Sequence, residues 1–239
     1  MAAINMIASA VQKALKAKAT KERAKTSQWF FKTGPGQYGE GDFFWGITVP
    51  EQRVIAKQFK GLSLPEIKIL LASPIHEHRL TALLILNIQF SKADEKMQTK
   101  LYRFYWANRR HINNWDLVDT SAPSIVGEYL LAHPTEKNKL RTWAKSSNLW
   151  ERRIAVVATY TLIKHKQYAE IIALAEQLKH DKQDLMHKAV GWMLREMGKQ
   201  NPGVLVTFLN EHANTLPRTT LRYAIEKMTP EQRRYYLDL

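Results

Sequence analysis

The chain contains no cysteine. That absence excludes disulfides, thiol catalysis, zinc–thiolate centres and iron–sulfur clusters together. No stretch approaches the ~20 consecutive apolar residues that cross a bilayer, so no membrane span is expected. Glycine is scarce, ten in 239 residues, and four of the ten sit in one stretch at Gly34, Gly36, Gly39 and Gly41. Alternating strand patterns bounded by Asn-Gly turns are missing. Acidic residues are few beside basic ones, 22 against 36, which gives a formal net charge of +14 and a pI near 9.9. This imbalance implies a polyanionic partner, with nucleic acid ahead of an anionic membrane surface. The apolar fraction of 45% and aromatic fraction of 10% argue against disorder and for a packed core.

Residues 2–11 (AAINMIASAV) are mildly apolar and precede Lys13, Lys16, Lys18, Lys21, Arg23 and Lys25. A secretory signal carries its charge before its apolar segment, and here the order is reversed. No acid precedes Glu22, as in an organelle transit peptide, but arginine is sparse. The segment reads as an amphipathic first helix with a basic outer face, and the chain is expected in the cytoplasm.

What remains is helical patterning. ALLILNIQF, IAVVATYTLI, KAVGWMLREM and YAIEKM carry apolar residues at three- and four-residue spacings. Prolines fall where helices should begin or break. The fold class is therefore all-α. Five segments align in register through Arg79, Asp116, Arg153, Lys188 and Arg222, separated by 37, 37, 35 and 34 residues. A period of roughly 35–45 residues built from helix pairs marks a HEAT-like α-solenoid, here one domain over residues 1–239. Four of the five register positions are basic. If the second helix of each pair lines a concave face, Arg79, Arg153, Lys188 and Arg222 would meet DNA phosphates, binding through counterion release.

Gly34-Pro-Gly36-Gln-Tyr-Gly39 matches the dinucleotide-binding fingerprint literally, yet no strand precedes it and no helix follows directly. It reads as a sharply turned loop between helices, whose free backbone N–H groups offer a phosphate contact. His76-Glu-His78 places two histidines on different helix faces and lacks a third ligand, so no metal site is expected. The segment His111–Asp119 is denser in chemistry. Trp115 and Asp119 are i, i+4 neighbours on one helix face. A carboxylate suits a phosphate-facing surface poorly. Two readings stand on the residues alone: a catalytic acid, or a helix-capping cluster. Trp192 follows Lys188 by four residues and shares its face, either as a site residue or as core packing. Of the neighbours Arg152 and Arg153, one can cap carbonyls or an acid and the other can meet phosphate.

The stretches FFKTGPGQYGEGDFFWGITVPEQR, INNWDLVDTSAPSIVGEYL, NLWERRIAVVATY, HKAVGWMLREMGK and PRTTLRYAIEKM together resemble the HEAT-like-repeat DNA alkylation repair glycosylases, the AlkD type. INNWDLVD and KAVGWMLRE are specific in combination. The resemblance implies a right-handed α-solenoid of helix pairs holding duplex DNA on its concave face. It also implies release of N3- and N7-alkylated purines. Matched motif by motif, it makes Trp115, Asp119 and Trp192 the catalytic residues and Arg153 a DNA contact. Alkylation already makes the base a cationic leaving group, so the enzyme's task is to stabilise an oxocarbenium-like sugar. Asp119 would supply the counter-charge and orient water. The faces of Trp115 and Trp192 would cradle the sugar, at roughly 0.5–2 kcal/mol each. No lysine is placed as a Schiff-base nucleophile, so a monofunctional enzyme is expected. Excision without base flipping, no cofactor, and a monomer acting on double-stranded DNA with alkylated bases complete the expectation.

Overall fold

The computed structural model describes residues 5–239. It is all-α: among the described residues the strand-like pairing is one isolated bridge between Phe43 and Ile75. The chain forms two compact units that divide between Ser121 and Ala122.

The first unit begins with α1 (Ala8–Lys16), the expected amphipathic helix. It buries Ala8, Val11 and Leu15 and carries Lys13 and Lys16 in its last turn. The expected helix positions 2–4 lie outside the described residues. Helix α2 (Lys21–Phe30) buries no residue along its length. It is anchored at its start, where Thr20 N–H donates to the Trp45 carbonyl at 2.9 Å and Thr20 Oγ1 to the Gly46 carbonyl at 3.0 Å. Gly46 permits this approach, because a Cβ there would lie 2.3 Å from the Thr20 carbonyl oxygen. The glycine-bearing loop follows, then α3 (Val49–Gln58) and α4 (Leu64–Leu71). Helix α3 starts with a reciprocal capping box between Thr48 and Glu51, which satisfies two otherwise unpaired N–H groups.

Helix α5 (His76–Phe90) is the spine of this unit. Every residue from His76 to Leu86 is buried, as expected of a helix apolar all round. Its first turn, however, is the polar sequence His-Glu-His-Arg, and those four must find partners inside the protein. Helix α6 (Glu95–Ala107) is capped by Asp94, which accepts from Met97 N–H at 2.8 Å. Helix α7 (Trp115–Ala122) closes the unit.

The second unit contains α8 (Glu128–Ala132), α9 (Asn138–Trp143), α10 (Leu149–Lys164), α11 (Ala169–Gln177), α12 (Asp184–Gln200), α13 (Pro202–His212), α14 (Arg218–Ala224) and α15 (Pro230–Asp238). Its spine is α10, buried from Arg153 to Thr159 and again from Thr161 to Ile163. Pro123 precedes α8 in a widened turn at 123–127, and its carbonyl accepts from Thr161 Oγ1 at 2.8 Å. The five register positions all fall within helices, in the first two turns of α5, α7, α10 and α12 and in the last turn of α14. No helix among the described residues is long and apolar enough to cross a membrane.

Candidate functional site

Trp115 opens α7, and Asp119 follows one turn later on the same face; both are half-buried. The Trp115 ring stacks on Phe31, with centroids 5.2 Å apart and planes 13° from parallel. Phe30 meets the same indole edge-on at 5.9 Å. Phe31 stacks in turn on Phe44 at 4.9 Å, and Phe44 on His76 at 4.5 Å. The indole therefore ends an aromatic column that runs from the protein interior. Phe30, which meets the indole edge-on, is 52% exposed.

Beneath that column lies a buried polar cluster built from three separate segments. Asp42, from the end of the glycine-bearing loop, accepts from Arg79 Nη2 at 2.6 Å and Asn114 Nδ2 at 3.2 Å, and faces His76 Nδ1 at 3.0 Å. The other ring nitrogen of His76 lies 2.7 Å from Asp116 Oδ2. Burial alone would depress the His76 pKa. The charge and hydrogen bond of Asp116, joined by Asp42, override burial and raise it to about 9. Burial likewise works against ionised Asp42, but His76 and Arg79 hold its pKa below the ordinary carboxylate value. His78 is the opposite case: burial and the nearby Arg79 charge lower it to about 4, so it is neutral near pH 7. Glu77 binds the backbone instead, accepting from Trp45, Gly46 and Ile47 N–H at 3.0, 2.7 and 3.3 Å.

The two carboxylates of α7 thus differ. Asp116 belongs to the buried cluster and also accepts from Leu117 N–H at 2.8 Å. The Asp119 charge is felt by Tyr105, whose hydroxyl lies 3.1 Å from Ser121 Oγ. Burial pushes that phenol above its ordinary range, against the Ser121 hydrogen bond and with the Asp119 charge adding to the rise. The N-terminal capping role at α7 falls to Asn114, whose Oδ1 accepts from Trp115 N–H at 2.8 Å.

The glycine-bearing loop differs from expectation. Gly34 N–H is taken by Gln37 Oε1 at 3.0 Å, Gly36 N–H by Glu40 Oε2 at 2.9 Å and Gly39 N–H by the Lys32 carbonyl at 3.1 Å. These donors are satisfied within the loop rather than held ready for phosphate. The loop's contribution is to fold Asp42 inward.

The basic register positions also separate. Arg79 is 4% exposed, and its guanidinium is shared between Asp42 and the Ser73 carbonyl. It holds the cluster together and is not presented to a phosphate. In the second unit, Arg153 is 5% exposed and donates to the Leu185 carbonyl at 2.6 Å, so the expected direct phosphate contact is not supported by its placement. Arg152 pairs with Asp181 at 2.7 Å and caps the Ser146 and Ser147 carbonyls at 2.9 and 3.0 Å. It is the capping member of the pair. Lys188 is half-exposed and bridges to Asp184 at 2.7 Å. Arg222 is exposed on α14. Trp192 is half-buried on α12, 6.2 Å from the Tyr160 ring, and so is not a fully buried core residue. The glycine before it has a packing reason: a Cβ on Gly191 would lie 2.6 Å from the Thr220 carbonyl oxygen, so only glycine lets α12 come this close to α14.

Phe31, Asp42 and Asn114 were not singled out by sequence, and His76 was weighed there only as a metal ligand. A fully polar turn opening an otherwise apolar buried helix is the signal that marks the cluster.

These features define an all-α protein of packed helix pairs, with a tryptophan and a carboxylate half-buried together on one helix face. The chain belongs to the DNA alkylation repair enzyme family, whose model matches residues 11–228. A predicted DNA alkylation repair enzyme from Enterococcus faecalis has a similar structure, with a TM-score of 0.71 at 18% identity over 89% of this chain and 98% of that one. The smu.31 protein of Streptococcus mutans UA159 is also similar, with a TM-score of 0.54 at 17% identity over 93% and 99% of the two chains. At these identities the likeness concerns the fold alone. No curated protein gives a significant match.

Proposed function

We propose that this chain is a monofunctional DNA glycosylase that hydrolyses the N-glycosidic bond of N3- and N7-alkylated purines in duplex DNA. The observation that carries the reading is the half-buried Trp115–Asp119 face of α7, with Trp115 stacked on an aromatic column and its neighbour Asp116 tied to a buried charge cluster. Membership of the DNA alkylation repair enzyme family supports the same substrate class.

The chemistry follows from the lesion. An alkylated N3 or N7 leaves the purine cationic, so it departs without a strong general acid. The bond breaks to leave positive charge on the sugar. Asp119 stabilises that charge and orients water at C1′, while the Trp115 face adds cation–π stabilisation. Trp192 in the second unit is proposed as a second aromatic contact to the deoxyribose. The lesion stays in the helix stack, and lability of the cationic base, rather than a shaped pocket, sets selectivity. Arg222 and Lys188 are the proposed phosphate contacts. The protein is proposed to work as a cytoplasmic monomer of HEAT-like repeats on double-stranded DNA, without a cofactor.

The test is incubation with methylated duplex DNA and chromatography of released bases. Release of free 3-methyladenine or 7-methylguanine without strand cleavage supports the reading. DNA binding with no base release would make the chain a non-catalytic DNA-binding member of the family.

A further inference from the structure

We propose that His76 is a positioning residue for the Trp115–Asp119 face, acting through Asp116; the inference rests on the glycosylase reading above. The two ring nitrogens of His76 lie 3.0 Å from Asp42 and 2.7 Å from Asp116. An ionised carboxylate only accepts hydrogen bonds, so a ring serving both must donate from both nitrogens. Only the imidazolium does so. The ring is also fixed in its plane by the stacked Phe44, 4.5 Å away.

The geometry sends this constraint directly to α7. Asn114 and Asp116 flank Trp115 in sequence, and each is tied to the same cluster, Asn114 to Asp42 and Asp116 to His76. The backbone on both sides of the indole is thereby pinned, while its face rests on Phe31. Asp119 lies three residues beyond Asp116, so the contact that fixes the first turn also fixes the carboxylate direction.

The charged groups facing the ring are Asp42 from the loop, Asp116 from α7 and Arg79 from its own helix, with Arg79 Nη2 3.4 Å from Nδ1. Two acids and two bases cancel, which is what makes a buried cation tolerable. Loss of the His76 proton leaves one carboxylate facing a bare nitrogen lone pair. Asp116 is the partner at the edge of the cluster, so α7 is the element released.

The experiment combines ring-nitrogen NMR with single-turnover base release from methylated duplex DNA. In the wild type, both His76 nitrogens should be protonated at neutral pH. The Trp115 indole resonance should shift with the same midpoint as His76, near pH 9. Base release should lose about tenfold across that transition. His76→Gln should release base about tenfold more slowly at neutral pH with DNA affinity within about twofold, and should show no such alkaline limb. A neutral His76 at neutral pH, a Trp115 resonance that ignores the His76 titration, or a His76→Gln variant with wild-type rate and wild-type pH profile would each overturn the inference. If His76→Gln does not fold, the wild-type titration decides. If the wild type releases no base, the glycosylase reading falls, and the coupling of Trp115 to His76 alone decides the positioning role.

Discussion

His76 Nε2 lies 2.7 Å from Asp116 Oδ2, and that contact separates the two carboxylates of α7 into different tasks. Asp116 is the half-buried partner of a histidine cation, whereas Asp119 lies one turn along on the face it shares with Trp115. Asp116→Ala should therefore be primarily a stability variant. Removing one partner of a buried pair leaves the other charge uncompensated, at a cost of about 3 kcal/mol. Urea unfolding should show the midpoint falling without a large change in slope.

Stability should also depend on pH through two histidines with opposite signs. His76 has its folded pKa raised from 6.5 to about 9. Its contribution is complete below about pH 6.5 and is lost as pH rises through about 9. His78 has its folded pKa lowered from 6.5 to about 4. Its contribution is complete above about pH 6.5 and is lost as pH falls through about 4. Thermal melts across this range should show a maximum in the neutral region. His76→Gln should flatten the alkaline side and leave the acidic side in place.

The loop glycines provide a paired test of what the loop does. A Cβ on Gly39 would lie 2.3 Å from the Phe31 carbonyl oxygen, and Phe31 carries the Trp115 stack. Gly39→Ala should cost about 1–3 kcal/mol by overpacking and should shift Trp115 fluorescence. Gly36 has φ +72° with open space around it, so Gly36→Ala should cost only about 1–2 kcal/mol of backbone strain and leave the Trp115 signal unchanged. Equal effects on Trp115 would show that the loop does not support it.

Two arginines from the same sequence register should behave differently. Arg153 is buried on a backbone carbonyl, so Arg153→Ala should lower the melting temperature, by about 1–3 kcal/mol of stability. Arg222 is exposed. Arg222→Ala should leave melting unchanged, weaken DNA binding and reduce the salt slope of log K by about one.

Local pattern explains what could be read in advance. The apolar runs at ALLILNIQF and IAVVATYTLI become the buried spines α5 and α10, because an all-round apolar helix has nowhere else to go. The register through Arg79, Asp116, Arg153, Lys188 and Arg222 falls on helices throughout, near the start of four and in the last turn of α14. What spacing did not reveal is that equal positions have unequal surroundings. Arg79 is drawn inward by Asp42, 37 residues away in sequence, and Asn114 meets the same acid across 72 residues. Nothing local encodes such a pairing. The Trp115–Asp119 pair was visible because one helical turn joins them. The column of Phe31, Phe44 and His76 behind it was not, because it draws on three segments.

The most direct measurement compares wild type with Asp119→Asn on duplex DNA carrying 7-methylguanine, reading affinity and single-turnover base release together. The substitution keeps size and shape and removes the charge. Binding should be equal or tighter, since one repulsion toward phosphate disappears. Release should slow about a hundredfold, equivalent to a loss of ~3 kcal/mol in transition-state stabilisation. Normal binding with release at the wild-type rate would contradict the account and leave Asp119 a structural residue of α7.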